Sequence, residues 1–140
     1  MKKSNSYSVW SLPPETLTLQ PAHVDVWRVR SSLPIKVRDR LETTLSEDEK
    51  SRAARFHFMA DRERFISAHG CLRDVLSRYL PCEPDQFHFS TNSHGKPAVD
   101  GHRVEFNLSH AGDFTLIAIA QECRVGVDVE RIRSGISSHV

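Results

Sequence analysis

Between Val24 and Arg30 the chain alternates. Val24, Val26, Arg28 and Arg30 fall on one parity, and Asp25, Trp27 and Val29 on the other. A period of two predicts a strand over Val24–Arg30. The segment Ser46-Glu47-Asp48-Glu49 then has the form of a capping box, with three acidic residues suited to the first turn of a helix. It predicts a short helix running to about Phe58. From near Asp61 to Leu80, Phe65, Ala68, Leu72, Val75, Leu76 and Tyr79 recur at spacings of three and four, which predicts a longer helix stopped by Pro81. Gly70 lies inside it at a cost of about 1 kcal/mol relative to Ala; either a close backbone approach or a tolerated defect accounts for it. Beyond Pro81 the pattern becomes short and strand-like: Gln86–Ser90, Lys96–Val99, Val104–Leu108, Thr115–Ala120 and Arg124–Glu130. Turn signals at Asn92-Ser93-His94-Gly95, Asp100-Gly101 and Ala111-Gly112-Asp113 separate them.

These elements predict an α/β (α+β) domain with a mostly antiparallel sheet of about four strands and one long helix packed on it. The expected core contains Leu72, Val75, Leu76, Phe106, Leu116 and Ile119. Residues 1–22 carry Pro13, Pro14 and Pro21 and read as an irregular arm. Residues 134–140 read as a small, polar tail.

Composition narrows the class. With 140 residues, 39% hydrophobic and 26% charged, the chain is sized and balanced for one globular domain. Nineteen basic residues against 18 acidic ones leave a net charge of +1, so a general nucleic-acid coat is not expected. No apolar run approaches the roughly 20 residues that span a bilayer, and the basic start lacks the apolar stretch of a signal peptide. Three cysteines, Cys71, Cys82 and Cys123, have no CxxC spacing. Neither a disulfide framework nor a zinc ribbon is expected, and a cytoplasmic location is.

Four local patterns carry candidate chemistry. In Gly126-Val127-Asp128-Val129-Glu130, an extended backbone puts Asp128 and Glu130 on one face, roughly 7 Å apart. Two such carboxylates suit a hard divalent cation, or they form an ordinary polar stripe on a half-buried strand. In Phe106-Asn107-Leu108-Ser109-His110, Ser109 and His110 are donors suited to phosphate oxygens, but as strand neighbours they point to opposite faces and make a poor nucleophile–base pair. Gly95-Lys96-Pro97 presents a lysine from a stiffened turn. Lys50, Arg52, Arg55, Arg62 and Arg64 cluster around the junction of the two helices, as a polyanion grip or as a solvated face.

Taken in order, the basic helices, the long helix, GKP, FNLSHAGD and GVDVE resemble the 4'-phosphopantetheinyl transferases of the surfactin-synthetase-activating type, over about residues 40–132. The resemblance implies transfer of the phosphopantetheine arm of coenzyme A to a serine of an apo acyl or peptidyl carrier protein, with release of 3',5'-ADP and a requirement for Mg²⁺. It implies that Asp128 and Glu130 are two magnesium carboxylates. Arg52, Arg64, Gly95, Lys96, Ser109 and His110 would hold coenzyme A. One basic position of the family falls on Glu49, with Lys50 beside it. No nucleic acid or membrane partner is implied.

Members of that family are about twice this long and resemble two similar α/β halves. Their second half carries a W/F-x-x-K-E-A helix that has no counterpart here. The chain therefore reads as an N-terminal half, residues 23–123, followed by the first strand of a second half in 124–140. On that reading no catalytic set is complete, and the chain is not expected to act alone. A non-catalytic half-domain that binds coenzyme A or a protein is the alternative.

Overall fold

The strand that organises the molecule is the most apolar one. The computed structural model describes residues 10–132, so the expected polar tail and the first part of the N-terminal arm lie outside the described residues. Along the chain come β1 (Val24–Arg30), α1 (Ile35–Glu42), α2 (Glu47–Ala54), α3 (Met59–Tyr79), a 3-10 turn (Pro84–Gln86), β2 (Phe89–Thr91), β3 (Pro97–Val99), β4 (Val104–Ala111) and β5 (Phe114–Gln121). β5 lies at the centre of a three-stranded antiparallel sheet of order β1-β5-β4, while β2 and β3 form a separate antiparallel pair. A central strand is covered on both faces, which is why Thr115 and Ile117 through Ala120 are all buried. The α+β class with antiparallel sheets and one long helix is as expected; among the described residues the strands number five, in two sheets.

The register fixes the faces. Ile117 and Ile119 point toward α3, with Phe106, Leu72, Val75 and Leu76 in one buried cluster. Leu116, expected in that cluster, pairs with Ser109 and Arg28 on the opposite face and is only half-buried. Strand parity is the reason: Ile119 and Leu116 differ by an odd number of residues and cannot share a face. Ile117 takes the place assigned to Leu116.

The helix signals translate directly. Ser46 Oγ accepts from the Glu49 amide, and Glu49 Oε1 accepts from the Ser46 amide, each at 3.1 Å. α2 ends at Ala54, four residues short of the expected Phe58, because Phe58 adopts an extended conformation and becomes the N-cap of α3. α1 has no counterpart in the sequence reading. It follows Pro34 and buries only Leu41, too few apolar positions to show a helical period. Its place explains Gly70: a Cβ there would lie 2.6 Å from Leu41 Cβ, so the glycine permits the close approach of α1 and α3.

One expected strand is absent. Residues 124–130 belong to no strand. They still alternate, with Val125, Val127 and Val129 half-buried and Gly126, Asp128 and Glu130 exposed. The periodicity was real, but a ladder also needs a neighbour offering its backbone groups, and this segment meets β4 through side chains instead.

Candidate coenzyme-binding site

The GKP turn is built by one side chain. Asn92 Oδ1 accepts from the amides of His94 and Lys96, each at 2.9 Å, while the Asn92 amide donates to the Lys96 carbonyl at 2.8 Å. Gly95 holds φ +78°, a conformation that L side chains rarely adopt. This rigid turn delivers Lys96, whose Nζ donates to the Val125 carbonyl at 2.5 Å. An ammonium has three donors, so two remain for an anion.

β4 supplies the next contact. Ser109 Oγ lies 3.1 Å from Asp128 Oδ1 and accepts from the Val129 amide at 3.1 Å. Lys96, Ser109 and Asp128 come from three separate motifs and are tied through the single segment 125–129. Glu130 is exposed on the same side of that segment as Asp128. His110 is exposed and, one residue from Ser109, shares the face of Leu108 and Phe106 rather than that of Ser109.

On the face of Leu108 and Phe106 lies a cavity of about 360 Å³ between α2, α3 and the β2–β3 pair. Arg52, His69, Ser90, Thr91 and Pro97 line it. Arg52 is held over the Phe65 ring, its guanidinium carbon 5.2 Å from the ring centroid and so inside the roughly 6 Å reach of a cation–π contact; His69 stacks on that same ring at 4.1 Å. Arg64 does not line this cavity; its guanidinium pairs with Asp61 at 3.3 Å. Thus Arg52 and the GKP proline share one hollow, and Lys96, Ser109 and Asp128 share one edge. Arg64 stands apart from both.

The wall of the cavity hides a charged pair that the pattern of apolar positions could not reveal. Arg73 is 2% exposed. Its Nε donates to Glu49 Oε1 at 3.0 Å, Nη2 donates to the same oxygen, and Nη1 donates to the carbonyls of Pro84 and Phe87 at 2.9 and 3.0 Å. Burial by itself would raise the Glu49 pKa, but the hydrogen bonds from Arg73 and the Ser46 amide outweigh it and hold the carboxyl below its ordinary value. Glu49 is therefore committed to the interior, and Lys50 turns outward to Glu47 at 3.4 Å. His69 is pushed down to about 4, chiefly by burial and further by Arg52 and Arg73, against the opposing pull of Glu49. Its Nδ1 lies 3.7 Å from Glu49 Oε2. The signal for this cluster was the i, i+4 series Phe65, His69, Arg73, which places a histidine and an arginine on the inner face of α3.

A profile described as "4'-phosphopantetheinyl transferase, N-terminal" matches residues 36–122. The chain belongs to the 4'-phosphopantetheinyl transferase family. It is 38% identical over 128 residues to the 4'-phosphopantetheinyl transferase HetI of Nostoc sp., covering 89% of this chain and 54% of that protein. It is 27% identical over 96 residues to the 4'-phosphopantetheinyl transferase Sfp of Bacillus subtilis, covering 68% of this chain and 42% of that protein. It also matches the L-aminoadipate-semialdehyde dehydrogenase-phosphopantetheinyl transferase of Rattus norvegicus, at 27% over 92 residues, 61% of this chain and 30% of that one. The chain spans about half or less of the length of these relatives.

Asp128 and Glu130 have the chemistry of magnesium ligands: hard, exposed oxygens, one steadied by a hydroxyl. Among the described residues no group of three or more His, Cys, Asp or Glu side chains is placed to hold a metal ion. The residues fit a cation that takes two protein carboxylates and fills its remaining positions with water and phosphate oxygens.

Proposed function

We propose that this chain holds coenzyme A for transfer of its 4'-phosphopantetheine arm to a serine hydroxyl of an apo acyl or peptidyl carrier protein, in the manner of the surfactin-synthetase-activating type. The serine oxygen would form a bond to the phosphorus that bears the pantetheine arm. The pyrophosphate bond would break, the serine proton would leave, and 3',5'-ADP would depart as the leaving group. One observation carries the reading: Lys96, Ser109 and Asp128, from three motifs far apart in sequence, meet at the segment 125–129.

Each residue then has a role set by its chemistry. Lys96 offers two unspent donors to phosphate oxygens where charge accumulates. Arg52, held by Phe65, offers a further cationic contact at the cavity, His110 would offer an N–H contact from its exposed place near the end of β4, and Arg64 lies further out along α3. Gly95 keeps the turn that aims Lys96. Asp128 and Glu130 would hold Mg²⁺, which when bound neutralises the pyrophosphate oxygens. A cytoplasmic setting suits the free thiols of Cys71, Cys82 and Cys123.

Calorimetric titration with 3',5'-ADP tests the binding part. Wild type should bind, and Lys96→Ala and Arg52→Ala should each weaken binding about tenfold, the usual worth of a charge-assisted contact. Unchanged affinity in both variants would remove the proposed site. Binding that is intact in wild type, with no transfer under any pairing with a second family half, would favour the non-catalytic half-domain.

A further inference from the structure

The segment 124–130 is extended and runs beside β4, yet among the described residues its backbone joins no strand ladder. Two β4 side chains replace the ladder. Asn107 Oδ1 accepts from the Val127 amide at 2.8 Å, and Ser109 Oγ accepts from the Val129 amide at 3.1 Å. Asn107 and Ser109 are two residues apart on β4 and share a face; Val127 and Val129 are two apart on the segment. The two rungs therefore have matching spacing.

Phase is what such a pair of rungs controls. With Val127 and Val129 tied down, the odd positions turn toward the sheet and the even positions turn outward, as their burial shows. A slip of one residue would carry Asp128 and Glu130 onto the sheet and bring valines to the outside. The Ser109 hydroxyl has one proton to give and lone pairs to receive. It receives from the Val129 amide and reaches Asp128 Oδ1 with its proton, so one group fixes both the backbone and the carboxylate.

We propose that Asn107 and Ser109 are positioning residues that set the phase of residues 125–129 and so aim Asp128 and Glu130 together to the open side. The inference rests on the reading of those two carboxylates as metal ligands. Asn107 is outside the set of coenzyme contacts drawn from the sequence, and Ser109 gains a task beyond a phosphate contact.

The test uses this chain with Mn²⁺ as a paramagnetic probe and amide hydrogen exchange as a readout independent of activity. Asn107→Ala should speed exchange at Val127 about 3- to 10-fold, the worth of one net hydrogen bond. It should weaken Mn²⁺ binding by a similar factor and leave exchange at Ile117, in the central strand, unchanged. Asn107→Asp keeps an oxygen acceptor and should restore protection at Val127. Ser109→Ala should do at Val129 what Asn107→Ala does at Val127. Unaltered exchange and unaltered Mn²⁺ affinity in Asn107→Ala, while Asp128→Ala abolishes Mn²⁺ binding, would overturn the positioning role alone. Mn²⁺ affinity indifferent to Asp128→Ala would instead overturn the carboxylate reading, and the positioning role with it.

Discussion

At the scale of single residues, the most consequential side chain inside the molecule is Arg73. Every N–H direction it uses ends on Glu49 or on the backbone around the 3-10 turn, so it joins α2, α3 and the approach to β2. Removing one partner leaves a buried charge uncompensated, and we expect Glu49→Ala to cost about 3–5 kcal/mol of unfolding free energy in urea titration. His69 adds a pH dependence. Its proton binds near 6.5 in the unfolded chain and only near 4 in the folded one. The stabilisation is fully present above about pH 6.5, falls as the unfolded state takes up the proton, and is gone below about pH 4. At most about 3 kcal/mol is involved, given 1.36 kcal/mol per unit. Glu49, with its lowered pKa, drives stability in the same direction below its ordinary 4.5. Stability measured from pH 7 to pH 4 should fall, and His69→Phe should flatten the upper part of that curve; an unchanged slope would exclude His69 as its source.

At the scale of elements, the contact between α1 and α3 depends on a missing methyl group. Gly70→Ala gains about 1 kcal/mol of helix propensity, yet its Cβ would sit 2.6 Å from Leu41 Cβ and close to the α1 backbone. Overpacking of this kind costs typically 1–3 kcal/mol. We expect a net loss in thermal unfolding. A gain in stability from Gly70→Ala alone would show that α1 yields without cost. The GKP turn is an element of the same sort, in which Asn92 and Gly95 build the geometry and Lys96 uses it.

At the scale of the whole molecule, a three-stranded sheet carries α3 on one face and lays the segment 125–129 along its β4 side. A ligand that binds only this folded arrangement must stabilise it. At one hundred times its dissociation constant, 3',5'-ADP should add about 2.7 kcal/mol, read as an upward shift of the melting temperature that Lys96→Ala, binding about tenfold more weakly, cuts to about half at the same concentration. Catalysis asks for more than binding. With two carboxylates in place among the described residues and no third beside them, we expect the 140-residue chain with coenzyme A and Mg²⁺ to leave the mass of an apo carrier protein unchanged. A mass gain of one phosphopantetheine, lost in Asp128→Ala, would contradict that expectation.

Periodicity and capping chemistry are local, and they were legible in the residues alone. Alternation from Val24 to Arg30 became β1, the Ser46–Glu49 box opened α2, and the three-and-four spacing of Leu72, Val75 and Leu76 became the buried stripe of α3. The order of GKP, FNLSH and GVDVE was likewise enough to point to the family. What the chain could not reveal locally depended on neighbours. Leu116 and Ile117 are equally apolar, and only pairing with β1 and β4 decides which one faces α3. The valines after Gly126 alternate as a strand does, but whether they join a ladder depends on the groups β4 presents, and β4 presents Asn107 and Ser109. The pairing of Glu49 with Arg73 was hidden for a related reason: the spacing of Phe65, His69 and Arg73 marks a face of α3, but a charge looks solvated in sequence, and only a partner brought from 24 residues away makes its interior place tolerable.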